Sequence, residues 1–334
     1  MVLVMALSGC GLIGNGVQKG QAGDLDENAA KIGLITGERG IDDPYYQKAW
    51  DGLQKAEQDL KVGIGYIKAK NVKDYPAKLA ELKNEGYELI FTVGSQAVPA
   101  VLEAAAKNPE IKYICLDSTV AEPVPANVLG VSYKVEEGAF LAGYLAGKIT
   151  DSNVVGFISG DNHDESLRYF YGYKAGLRFV SSQCELMKGI AGTFTNKGRL
   201  KEMAERMVEC KADVIFHVAG TAGQGVTEVM AKADGYSIGS DVDQNKLAPE
   251  SVLSSVIKNN DTVSLQLINQ FKAKSLLLGR NVALGLADKG VSLAELTENM
   301  VPEDINKRLL ALQEEIIEGK RKVPSTEKEY FEMD

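Results

Sequence analysis

From Lys31 onward, short apolar runs alternate with longer amphipathic stretches, and this alternation limits the fold more than any other feature. Strands are predicted at 31–35, 62–67, 89–93, 112–116 and 127–132, and helices between them at 46–59, 75–85 and 98–106. The pattern then restarts. A helix at 136–148 leads to strands at 154–158, 185–190, 214–218, 236–240 and 252–256, interleaved with helices at 164–179, 198–210 and 223–232. A helix at 262–278, a strand at 281–284 and a helix at 302–319 follow. Strands of about five residues alternating with helices imply βαβ units, a parallel sheet and helices on both faces. Two such series predict two doubly wound lobes, 31–132 plus 258–286 and 134–256 plus 288–326, joined by a three-strand hinge near 133, 258 and 286. Ligands of open parallel sheets sit at the carboxyl ends of the strands, so function is expected in the loops that follow strands.

The first residues read differently. Residues 1–9 end in Leu7-Ser8-Gly9 before Cys10, and this resembles the lipobox of bacterial lipoproteins. The resemblance implies a signal peptide remnant at 1–9, lipidation of Cys10 and a lipidated tether over 10–29. A frayed apolar N-terminus is the plainer reading. Residues 15–29 are polar, Gly-rich and aperiodic, as a flexible tether would be. Gly9, Gly11 and Gly14 fit G-x-G-x-x-G, but no strand precedes them, so a dinucleotide site is not expected.

Composition excludes several function classes. A net charge of −9 without a basic stripe argues against nucleic acid as a partner. No run of 18 apolar residues occurs. Four cysteines (Cys10, Cys115, Cys184, Cys210) form no C-x-x-C, and only two histidines (His163, His217) are available, so no metal or cofactor is expected. Whether Cys184 and Cys210 pair stays open. His217 reads as a structural histidine and Trp50 as core, whereas His163 lies in a loop that reaches either solvent or a cleft. There is no G-x-S-x-G elbow and no P-loop. Asp241-x-Asp243-x-Asn245 opens like a calcium loop, but Lys246 and Val252 stand where Gly and the bidentate Glu belong.

Several segments together resemble the basic membrane protein family of ABC-transporter substrate-binding lipoproteins, of the purine nucleoside receptor A type. They are Asn127–Val131 with Glu136–Gly143, Phe216–Gly220 with Gly223 and Gly225, Ile238–Gln244 with Leu247–Pro249, Val252–Lys258, and Leu284–Leu286 with Gly290-Val291. The resemblance spans most of residues 31–322. It implies a type I periplasmic-binding-protein fold, no enzymatic activity, and a small-molecule cargo: a purine-type nucleoside held in a cleft between the lobes. It also implies an ABC permease as partner, a monomer, and a lipid-anchored place on the extracytoplasmic face of the cell membrane.

Carried over residue by residue, Asp241 matches the carboxylate that accepts from the ribose hydroxyls, and Asp117 matches the one that reads the base. Phe194 and Tyr45 match the stacking aromatics. Gly220 lets the backbone approach the ligand, and Lys258 lies near the sugar. The first loop departs from the family's D-x-S-F-N: Asp43 and Asp42 compete for one position, and Tyr46 replaces an Asn. Plainer roles stand beside these: Phe194 as core, Asp117 as a cap, Lys258 as a solvated charge, Tyr45 and Tyr46 packed on their own helix. A ligand-sensing lipoprotein of the same fold for a different small molecule and a nucleoside hydrolase are the alternative functions, the second poorly served by one aspartate pair at 42–43.

Overall fold

The computed structural model describes residues 16–20, 28–297 and 300–333. Cys10 and the expected signal remnant lie outside the described residues. The chain divides into two compact units, residues 1–130 with 268–280 and residues 131–267 with 281–334.

The first unit opens with β1 (Gln18–Lys19), β2 (Lys31–Thr36), α1 (Pro44–Leu60), β3 (Gly63–Lys68), α2 (Tyr75–Asn84), β4 (Leu89–Val93), α3 (Val98–Lys107), β5 (Lys112–Leu116) and β6 (Val128–Tyr133). Strands β2, β3, β4 and β5 pair in parallel, with Ile32 opposite Ile64 and Leu89. Their residues are apolar at nearly every position, because helices cover both faces. On one face Ile35, Ile67, Ile90 and Tyr113 pack with Leu79, Leu82 and Val101 of α2 and α3. Trp50 of α1 is 5% exposed, as expected of core, and meets the Tyr66 ring edge-on at 5.1 Å.

The expected flexible tether needs correcting within residues 16–20. β1 pairs antiparallel with β3, with Gln18 opposite Tyr66, and the Gly20 N–H donates to the Ile64 carbonyl at 2.9 Å. β3 would otherwise present an unpaired edge. Val17 packs on the core there, and Gly65 leaves the room it needs: a Cβ on Gly65 would stand 2.8 Å from Val17.

The second unit contains α4 (Val135–Ile149), β7 (Val154–Ser159), α5 (Asp164–Val180), β8 (Glu185–Ile190), α6 (Lys197–Glu209), β9 (Val214–Val218), α7 (Gln224–Lys232), β10 (Tyr236–Asp241) and β11 (Val252–Lys258). α8 (Asn260–Lys272) and β12 (Arg280–Leu284) follow, then β13 (Val291–Leu293), α9 (Glu303–Ile317) and α10 (Glu327–Phe331). Among the described residues one sheet runs β1-β3-β2-β4-β5-β6-β12 and the other β13-β11-β10-β9-β7-β8. Ile158 and Ile215 pack under Leu200, Ala204, Val226 and Met230 of α6 and α7. Elsewhere in this core Phe157, Tyr173 and Phe216 gather, with Tyr173 and Phe216 ring centroids 5.2 Å apart.

Two further expectations change. α8 stops at Lys272 rather than 278, because Lys274 adopts a left-handed φ of 56° and the Ser275 N–H closes back on the Gln270 carbonyl. β11 does not end its sheet: β13 adds an antiparallel edge, with Val256 opposite Leu293. Cys184 and Cys210 are free thiols, as is the buried Cys115.

Candidate functional site

The residues singled out in the sequence fall into two groups, one in each unit, each at the carboxyl ends of parallel strands.

In the first unit, the chain leaves β2 through a 3-10 turn at Gly40–Asp42 and enters α1 at Pro44. Asp43 is the N-cap: its carboxylate accepts from the Tyr45 N–H at 3.1 Å. This cap and Pro44 at the first helical position fix where the helix begins, and so aim Tyr45. The Tyr45 hydroxyl donates to Oδ2 of Asp117 at 2.5 Å. Asp117 stands just past β5 with a left-handed φ of 54°, a backbone state that Asp tolerates better than most residues. Tyr46 meets Tyr45 edge-on at 5.3 Å. Its own phenol is engaged elsewhere, by the Tyr75 hydroxyl and the Gly37 backbone, and burial pushes its pKa well above the ordinary tyrosine value. The phenol in the family's Asn position is thus bonded inside its own unit.

In the second unit, Asp241 ends β10 with a left-handed φ of 69°, and Lys258 ends the neighbouring β11. The Lys258 side chain is only 3% exposed, and its Nζ lies 3.3 Å from Oδ1 of Asp241. A buried ammonium requires such partners, since desolvation otherwise opposes its charge. The plainer reading of Lys258 as a solvated charge is therefore incorrect. Glu165, in the first turn of α5, is a second partner at 2.6 Å. Glu165 carries no signal in the sequence, since it stands 93 positions from its lysine.

Phe194 lies in the loop after β8 and is 43% exposed, so it is not core. Its ring covers Gly160 at the end of β7, where a Cβ would stand 2.5 Å from a ring carbon. Its carbonyl accepts from the Ala222 N–H at 3.1 Å, which ties the loop to the turn after β9. Gly220 opens that turn with a left-handed φ of 51° and faces the Phe194 backbone. Gly160, like Glu165, was missed in the sequence, where a lone glycine after a strand carries no special signal.

The two histidines lie apart from this chemistry. His217 is fully buried, 3.4 Å from the Thr227 hydroxyl, and burial lowers its pKa to about 4, so it is neutral at pH 7. His163 is exposed, with Nδ1 2.9 Å from Asp161. Among the described residues no cluster of His, Cys, Asp or Glu is arranged to hold a metal ion, and no helix is long and apolar enough to cross a membrane.

Two doubly wound parallel sheets, with carboxylates and aromatics at strand ends, make up the periplasmic-binding-protein fold. An ABC transporter solute-binding protein from Aeropyrum pernix K1 shares that fold with a TM-score of 0.75 at 22% identity, over 91% of this chain and 96% of that one. The chain belongs to the family described as ABC transporter substrate-binding protein PnrA-like (Bmp), whose model matches residues 29–327. It is 32% identical over 317 residues to the ABC transporter nucleoside-binding protein BmpA of Lactococcus lactis subsp. cremoris, covering 88% of this chain and 89% of that protein. It is 28% identical over 312 residues to basic membrane protein A of Borreliella burgdorferi, covering 92% and 91%. Its role is therefore substrate capture for an ABC transporter on the extracytoplasmic side, and not catalysis.

Proposed function

We propose that this protein captures a purine-type nucleoside and delivers it to the permease of an ABC importer. The observation that carries this reading is Asp241, a carboxylate presented at a strand end and held by the buried Lys258. A carboxylate can accept from both hydroxyls of a vicinal diol, and charge-assisted bonds of this kind are strong. The exposed Phe194 ring on its glycine offers a stacking face for the base. Gly220 allows the backbone to approach the ligand. In the other unit Asp117, bonded to Tyr45, supplies a carboxylate for base N–H groups, while Asp43 and Tyr46 set the position of the Tyr45 ring. The L. lactis relative is named as a nucleoside-binding protein.

The chain passes between the two units three times, near 130, 267 and 280. Lipidation at Cys10 anchors the protein to the membrane, and a monomer suffices for the task.

Calorimetric titration with guanosine, adenosine and inosine tests the reading. One-to-one saturable binding without release of free base is expected. Absence of binding to all three overturns it.

A further inference from the structure

The Asp241–Lys258 pair would be balanced without help: one buried ammonium faces one carboxylate. Glu165 unbalances it. Its Oε1 lies 2.6 Å from Lys258 Nζ, closer than the 3.3 Å to Asp241 Oδ1. Two carboxylates around one ammonium give these three side chains a net charge of −1; the nearby Arg168 guanidinium, which also feels Glu165, is itself bonded to the Glu136 carboxylate at 2.8 Å. Glu165 sits in the first turn of α5, where the helix dipole favours a carboxylate. Its side chain is 46% exposed, whereas that of Lys258 is 3% exposed. An arriving ligand therefore meets the carboxylate, and the ammonium behind it is already committed.

We infer that Glu165 is a positioning and specificity-determining residue: it holds Lys258 in place, and its surplus negative charge makes the site take uncharged nucleosides and reject their 5′-phosphorylated forms. This rests on the nucleoside reading above. A lone lysine beside a sugar would attract a phosphate as readily as a hydroxyl. A lysine bracketed by two carboxylates has no charge left to offer, and a phosphate dianion is repelled by the excess. Repulsion between like charges in a partly desolvated site is where electrostatics most strongly selects a partner.

The test is a calorimetric comparison of guanosine with guanosine 5′-monophosphate, and of adenosine with adenosine 5′-monophosphate, on the full chain and on Glu165→Gln and Glu165→Asp. The wild-type protein should bind the nucleosides and discriminate strongly against the monophosphates. Glu165→Gln should narrow that ratio roughly tenfold through loss of one like charge, while Glu165→Asp keeps it. A purely packing role would change both ligands alike and leave the ratio unmoved. If Glu165→Gln does not fold, the wild-type ratio should still narrow between about 0.05 and about 0.5 M salt, as screening predicts. Nucleoside binding with a ratio unchanged in Glu165→Gln, or unchanged by salt, overturns the role of Glu165 alone. Failure of the wild-type protein to bind either nucleoside overturns the nucleoside reading and this inference with it.

Discussion

Gly160→Ala is a small change with a large expected effect. The added Cβ would stand 2.5 to 2.7 Å from three carbons of the Phe194 ring, well inside contact distance. One of the two must move. Gly160 is held at the end of β7, and its N–H donates to the Val218 carbonyl at 2.8 Å, so the backbone resists. Phe194 is 43% exposed and swings out instead. Moving a half-exposed ring takes little from the fold, about 1 kcal/mol or less. Stacking on a base, however, is worth about 1–3 kcal/mol, so nucleoside affinity should fall roughly 5- to 150-fold. Calorimetry on Gly160→Ala, Phe194→Ala and the double variant separates the two effects. Both substitutions remove the same interaction, so the double variant should be no weaker than Phe194→Ala alone. A Gly160→Ala protein that keeps wild-type affinity while Phe194→Ala loses it would refute the role of Gly160 as the seat of the Phe194 ring.

Three further outcomes follow from the structure. His217 is buried with a pKa near 4 against 6.5 unperturbed, so the unfolded chain binds its proton more tightly. Its contribution to stability is then complete above about pH 6.5 and lost as pH falls towards 4, about 2 kcal/mol between pH 7 and pH 5; urea titrations should show that slope, and His217→Gln should flatten it. Asp43→Ala removes the cap of α1 and should cost about 1 kcal/mol in the same assay, with weaker nucleoside binding because Tyr45 loses its anchor; unchanged stability would contradict the capping role. Burial pushes the Cys115 thiol up to about 12, so an alkylating reagent should modify the exposed Cys210 in the native protein and reach Cys115 only on unfolding.

The fold was largely legible because its signals are local. Leu89–Val93, Lys112–Leu116, Glu185–Ile190 and Val214–Val218 are compact runs that the sequence bounds on both sides, and the structure places strands there. Local signals also mislead where a neighbour decides. β1 forms in a Gly-rich polar segment because the edge of β3 accepts it. α8 ends at a lysine in a left-handed turn, where the sequence shows no glycine to mark the stop. α10 escaped notice despite Thr326 and Glu329, a capping-box pair in which the Thr326 hydroxyl accepts from the Glu329 N–H. The site was legible where a residue type at a strand end carries its own chemistry, as with Asp117 and Asp241. It was illegible where a role depends on a partner distant in sequence. Glu165 gains its meaning only from Lys258, and Gly160 only from Phe194.

The central claim is that Asp241 takes the ribose of a nucleoside. Its most direct test is a comparison of guanosine with 2′,3′-dideoxyguanosine, measured calorimetrically on the wild-type protein and on Asp241→Ala. Hydrogen bonds to a charged acceptor are worth about 1.5–3 kcal/mol each, so two of them should favour guanosine by roughly a hundredfold or more on the wild-type protein. Asp241→Ala should lose most of that preference while still binding the base. Equal affinities of the wild-type protein for the two ligands, or a preference that survives in Asp241→Ala, would contradict the account.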